Sequence, residues 1–121
     1  MKNLILTFLL IFCSHVFSQD TISTDKAKNY LDKVAVVKGK VMSFKLASDG
    51  KTTNYVNIDL PYPENIFTVV VTNDYLAKQN IKIEDLLNKQ VYIKGKISVY
   101  KNDPKQLPQI FNPQVLELKK D

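Results

Sequence analysis

Val34-Ala35-Val36-Val37-Lys38-Gly39-Lys40-Val41-Met42-Ser43-Phe44 is a long run of β-formers whose central glycine predicts a bulge or sharp bend. Working outward from it, Ser48-Asp49-Gly50-Lys51 supplies a turn. Tyr55-Val56-Asn57-Ile58-Asp59-Leu60 then alternates strictly, which predicts Val56, Ile58 and Leu60 inward and Tyr55, Asn57 and Asp59 outward. Pro61-Tyr62-Pro63 breaks this strand, and Ile66 to Thr72 reads as a third, with Phe67, Val69 and Val71 facing the core. Phe44 and Phe111 read as core or barrel-end closures. Asn73 is expected to cap a short helix from Asp74 to about Lys78, and Ile83 to Leu87 reads as a further helical turn.

A fourth strand is Val91-Tyr92-Ile93-Lys94-Gly95-Lys96-Ile97-Ser98-Val99-Tyr100, apolar or glycine at odd positions and Tyr, Lys, Lys, Ser and Tyr at even ones. The last is expected over Gln109 to Leu118, interrupted by Pro113 at an edge or bulge. Upstream, Ser23-Thr24-Asp25 reads as the cap of a short N-terminal helix from Lys26 to Asp32 that presents Ala27, Tyr30 and Leu31.

The expected class is therefore all-β with short helices. Its strand order, with a helix between strands three and four, matches a five-stranded Greek-key barrel of the OB-fold kind. Over roughly residues 22 to 118 the chain resembles small bacterial OB-fold domains of the nucleic-acid-binding type. The residues carrying the resemblance are Val37-Lys38-Gly39-Lys40-Val41, Tyr55 to Asp59 leading into Pro61-Tyr62-Pro63, Ile66 to Val71, Val91 to Ile97, and Pro104 with Pro108-Gln109-Ile110. It implies a barrel and an oligonucleotide site, although OB barrels also take oligosaccharides and proteins.

The chain has 121 residues, enough for one domain. Lys2 followed by the apolar run Leu4 to Phe12 and by Ser14 to Gln19 reads as a signal peptide over residues 1–18, leaving one domain over 19–121. The protein is then expected to be exported, periplasmic or secreted. The apolar run is too short for a comfortable span, and no later segment reaches the roughly 20 apolar residues one requires. Lipidation at Cys13 is disfavoured by the bulky Phe12 before it.

Removing residues 1–18 also removes the one cysteine and the one histidine, Cys13 and His15. All seventeen basic residues are lysine. The domain thus lacks Cys-His and Ser-His relays, histidine zinc sites and arginine clamps on phosphate. Carboxylates such as Asp59, Glu64 and Asp74 form no Asp-x-Asp loop for a metal. A non-enzyme without cofactor or metal is expected. OB nucleases of the staphylococcal type need arginines beside their carboxylates, so their chemistry does not carry over.

Charge is segregated. Lys33, Lys38, Lys40 and Lys45 fall in a stretch with no acid, and Lys89, Lys94, Lys96, Lys101 and Lys105 accompany only Asp103, whereas residues 46 to 88 are acidic on balance. Paired strands would bring Lys38, Lys40, Lys94 and Lys96 onto one basic face, interleaved with Tyr92 and Tyr100 for base stacking. Tyr55, Asn57 and Asp59 point outward from the second strand and form a second candidate ligand set, one stacking ring with two hydrogen-bonding groups suited to a sugar or base. Against it stands a reading in which Tyr55 covers the barrel wall and Asp59 or Asn57 caps the Pro61-Tyr62-Pro63 turn. The competing reading makes the lysines a solvated, edge-protecting face and the glycines simple bends. The acidic segment around strands two and three also opposes phosphate at the usual OB ligand face. The expected partner is single-stranded nucleic acid or another extended anionic polymer, the alternative a cell-envelope module contacting protein or glycan.

Overall fold

Residues 21–119 are described by the computed structural model, so the signal-peptide expectation for residues 1–18 lies outside the described residues. The strands are β1 (Thr21–Ser23), β2 (Val34–Lys45), β3 (Thr53–Ile58), β4 (Thr68–Thr72), β5 (Gln90–Val99), β6 (Pro108–Phe111) and β7 (Val115–Leu118). Helix α1 (Asn73–Gln79) and two short 3-10 segments, Thr24–Asn29 and Ile83–Leu86, are the other elements among the described residues. It is all-β with short helices, its seven strands joined in one sheet.

Twelve residues let β2 serve three neighbours: β1 in parallel, β3 and β5 antiparallel. The pairings run from β2 to β3, β4, β6 and β5 and return to β2, with β4 and β6 parallel and the other pairs antiparallel. β1 and β7 lie outside this circuit, on β2 and β5. Seven strands replace the expected five because β1 forms ahead of the first 3-10 segment and the last expected strand divides at Pro113. Proline offers no N–H to a ladder, which is why the division falls there.

Alternation built the core as expected. Val56, Ile58, Phe67, Val69, Val71, Ile93, Ile97 and Ile110 are fully buried, and Phe44 packs against them. The glycines permit close approach of the two sides. A Cβ on Gly39 would lie 2.9 Å from Asp59 Oδ1 and closer still to Ile58 Cγ2, and one on Gly95 would lie 2.6 Å from Ile110 Cγ2. The register shift, by contrast, is at Val41/Ser43 and not at Gly39.

Several local expectations are corrected. Leu60 is 41% exposed because β3 ends at Ile58 and Asp59 turns the chain at φ +69. The third strand starts at Thr68, two residues later than Ile66. Thr72, not Asn73, caps α1, its hydroxyl accepting from Tyr75 N at 3.2 Å. Asn73 instead accepts through Oδ1 from Asn54 Nδ2 at 2.9 Å. The first helix is a 3-10 segment that starts at Thr24, and Ser23 makes no side-chain cap to it. The Ser23 hydroxyl donates to Asp25, which holds that carboxyl below its ordinary range. Ala27 is buried while Leu31 is exposed. Phe111, expected as a core or barrel-end closure, is 54% exposed, because Ile110 takes the inward position on β6.

Candidate functional site

Residues paired across neighbouring strands project from the same face of a sheet. Lys45 pairs with Tyr55, Tyr55 with Val70, and Val70 with Phe111. These four therefore form one outward row across β2, β3, β4 and β6. Tyr55 and Phe111 stand two strands apart, roughly 10 Å by strand spacing. Both are substantially exposed.

Beside it runs a polar row of Ser43, Asn57, Thr68 and Gln109. Asn57 Nδ2 donates to Ser43 Oγ at 2.9 Å, and Thr68 Oγ1 donates to Asn57 Oδ1 at 3.1 Å. Asn65 Nδ2 donates in turn to Thr68 Oγ1 at 2.8 Å. Asn57 does point away from the core as expected, yet it is only 5% exposed, with both ends of its carboxamide bonded to Ser43 and Thr68 on the neighbouring strands. It is a bonded part of the floor.

Two loops wall these rows into a cleft of about 850 Å³. The β3–β4 loop brings Tyr62, Pro63 and Asn65, and the β5–β6 loop brings Tyr100 and Asn102 to Lys105. Lys105 Nζ donates to the Pro63 carbonyl at 3.2 Å and joins the two. Asp103 shapes the second loop: its carboxylate accepts from Leu107 N at 3.0 Å and from Lys105 N at 2.9 Å. Those two bonds, Leu107 first, hold its carboxyl below the usual aspartate range.

The expected ligand residues divide between two faces. Tyr55, Asn57 and Tyr100 line the cleft. Lys38, Lys40, Lys94, Lys96 and Tyr92 lie on the outward face of β2 and β5, where Lys38 is opposite Tyr92, Lys94 opposite Val36 and Lys96 opposite Val34. The two Lys-Gly-Lys triplets thus occupy adjacent strands but are offset along them. Glu117 of β7 also pairs with Tyr92, placing a carboxylate on that face.

Sequence reasoning missed Lys45, Tyr62, Lys105, Gln109 and Phe111 as cleft residues. The alternation of Gln109-Ile110-Phe111 carried a signal for two of them, since an inward Ile110 turns both neighbours outward. The acidic residues expected around strands two and three do not line this cleft. Asp49, Asp59, Glu64, Asp74, Glu84 and Asp85 are absent from the lining, whose charged members are Lys45, Lys105 and the loop-bound Asp103. Segment charge misled because the cleft draws on four strands and two loops rather than on one segment.

Among the described residues, no three His, Cys, Asp or Glu side chains are grouped as for a metal ion, and no helix is long and apolar enough to cross a membrane.

No protein-family model and no curated protein sequence matches the chain. Solved structures do. The chain is similar to one assigned as an aspartyl-tRNA synthetase from Leishmania major Friedlin, with TM-score 0.58 and 7% identity over 84% of this chain and 21% of that one. It is similar to the OBody AM1L10, solved bound to hen egg-white lysozyme, with TM-score 0.56 and 19% identity over 86% of this chain and 96% of that one. It is also similar to a chain of the yeast Stn1 and Ten1 structure, with TM-score 0.59 and 11% identity over 86% of this chain and 64% of that one. The chain spans about a fifth of the synthetase's length. These likenesses establish an OB-like fold.

Proposed function

We propose that the circuit of β2, β3, β4, β6 and β5 is an OB barrel with β1 and β7 added at its edges, and that its cleft binds a segment of single-stranded nucleic acid without catalysis. The parallel β4–β6 pairing and the place of α1 between β4 and β5 support the barrel. The observation carrying the function is the row Lys45-Tyr55-Val70-Phe111, which sets two exposed rings beside an ammonium group. Rings spaced by two strands accept splayed bases, and lysines at the rim neutralise the backbone between them. Tyr62 and Tyr100 add stacking faces on the walls.

The lysines of the β2–β5 face would act on polymers long enough to leave the cleft. Removal of residues 1–18 on export belongs to the same proposal, motivated by Lys2 and the apolar run Leu4 to Phe12. N-terminal sequencing of native protein tests it: a start near Gln19 is expected, and Met1 retained would exclude it. An envelope module binding protein or glycan is the second reading, favoured by that export and by the lysozyme-bound OBody.

Fluorescence-anisotropy titration of the purified chain against labelled single-stranded DNA, RNA and an anionic glycan, at two salt concentrations, separates the readings. Oligonucleotide binding that weakens with salt and is lost in the double variant Tyr55→Ala, Phe111→Ala is expected. No oligonucleotide binding above background at low salt would overturn the proposal.

A further inference from the structure

The outward face of β5 does not stop at the cleft. Ser98 pairs with the lining residue Gln109, and Tyr100 stands in the cleft wall. Back along the strand every second residue is again outward: Lys96, Lys94 and then Tyr92, with Lys38 of β2 opposite Tyr92. Lys38 and Lys96 are exposed, and Lys94, half-buried, stands between Val36 and Val115. From Ser98 to Tyr92 this path measures roughly 20 Å by strand rise.

The other ways off the cleft carry a different charge. Past Lys45 the chain enters the β2–β3 turn, where Asp49 offsets Lys51. The β3–β4 wall carries Glu64. Along β4, Thr72 follows Val70 on the same face and is bonded to Asn112, after which α1 presents Asp74 in its first turn. The β5–β6 loop sets Asp103 between Lys101 and Lys105, and Lys105 is tied to Pro63. Among the described residues, only β5 leads away through successive lysines with no acid before Glu117, which pairs with Tyr92 at the far end. A polyanion follows such a run because each ammonium group releases a counterion from the backbone it meets.

Resting on the reading of the cleft as a single-strand site, we propose that the outward face of β5 is a second segment of that site and the route by which a longer strand leaves the cleft. The strand passes over Ser98, its phosphates meet Lys96, Lys94 and Lys38 in turn, and the path ends at Tyr92, where Glu117 sets its limit. The cleft supplies stacking and the β5 face supplies charge, so the two segments differ in their response to salt.

The experiment is anisotropy titration of the full chain with labelled oligothymidines of about 4 and about 12 nucleotides, within the site sizes of one OB fold. Wild type should bind the longer oligomer more tightly and with a steeper dependence on salt. The triple variant Lys38→Gln, Lys94→Gln, Lys96→Gln should bind the short oligomer like wild type and the long one roughly ten-fold more weakly, its log affinity against log salt shallower by about 2. Glu117→Gln should tighten the long oligomer alone, and Lys51→Gln, on the β2–β3 turn, should change neither. Circular dichroism of each variant checks that the fold is unchanged. A salt dependence equal for both lengths, or a long oligomer weakened by Lys51→Gln and untouched by the triple variant, would refute the β5 route and leave the cleft standing. If neither oligomer binds, the single-strand reading falls as well.

Discussion

Thr24 and Asp59, 35 residues apart in the chain, are joined by a 2.6 Å hydrogen bond from the Thr24 hydroxyl to Asp59 Oδ2. The other carboxylate oxygen accepts from Lys40 N at 2.9 Å, and Asp59 N donates to the Lys40 carbonyl at 2.7 Å. One side chain thus secures the N-terminal 3-10 segment, the middle of β2 and the end of β3. Asp59→Ala removes both side-chain bonds and leaves an alanine in left-handed backbone. It should cost about 2 to 3 kcal/mol in urea unfolding. Amide exchange should quicken first at Ile22 and Val37; protection there equal to wild type would contradict the role assigned to Asp59.

Gly39 and Gly95 have no space for a side chain, the first against Ile58 and Asp59, the second against Ile110. Each changed to alanine should lower stability by about 1 to 3 kcal/mol, the usual cost of overpacking. Thermal unfolding measures it, and unchanged melting temperatures would mean the strands can separate without cost.

In the cleft, Tyr55→Ala and Phe111→Ala should each lose about 1 to 3 kcal/mol of single-strand affinity at every salt concentration, because stacking releases no counterions. Lys45→Gln and Lys105→Gln should instead make the dependence of log affinity on log salt shallower, by roughly 0.7 for each phosphate that is no longer neutralised. A salt series with the four variants distinguishes the two behaviours.

Lys94→Gln combined with Lys96→Gln should leave binding of a short oligonucleotide unchanged, since both lysines lie on the β2–β5 face away from the cleft lining. Binding of a long strand should weaken, with a shallower salt slope. Equal weakening for short and long strands would relocate the ligand to that face.

Asp103 links the cleft to pH. Its carboxyl is held below the ordinary value of 3.8 by the Leu107 and Lys105 amides, so its contribution to loop order is complete above that value. The contribution is lost as pH falls through the lowered value, when protonation weakens both bonds. Amide chemical shifts of Lys105 and Leu107, followed downward from about pH 5, should move before those of the β3 and β4 core. Asp103→Asn should move them already at neutral pH, and shifts insensitive to both changes would exclude this control of the loop.

Alternation, glycine placement and turn residues were sufficient to read the all-β class, the buried identities of Val56, Ile58, Phe67, Val69 and Val71, and the helix before β5. They are local properties: a period of two and a missing Cβ act within a few residues. Strand ends were less legible, because Asp59 stops β3 through partners at Thr24 and Lys40 that lie far away in sequence. The site was legible only in part. Tyr55, Asn57 and Tyr100 could be recognised as outward residues, but outwardness does not say which residues share a face. That is decided by register. Pairing Lys45 to Tyr55 to Val70 to Phe111 required the parallel β4–β6 pairing, a closure across some forty residues. The same registers sent Lys38, Lys40, Lys94 and Lys96 to another side of the sheet. A side chain's chemistry is written in the sequence, whereas its neighbours depend on burying every strand's apolar face at once, and only the folded chain resolves that condition.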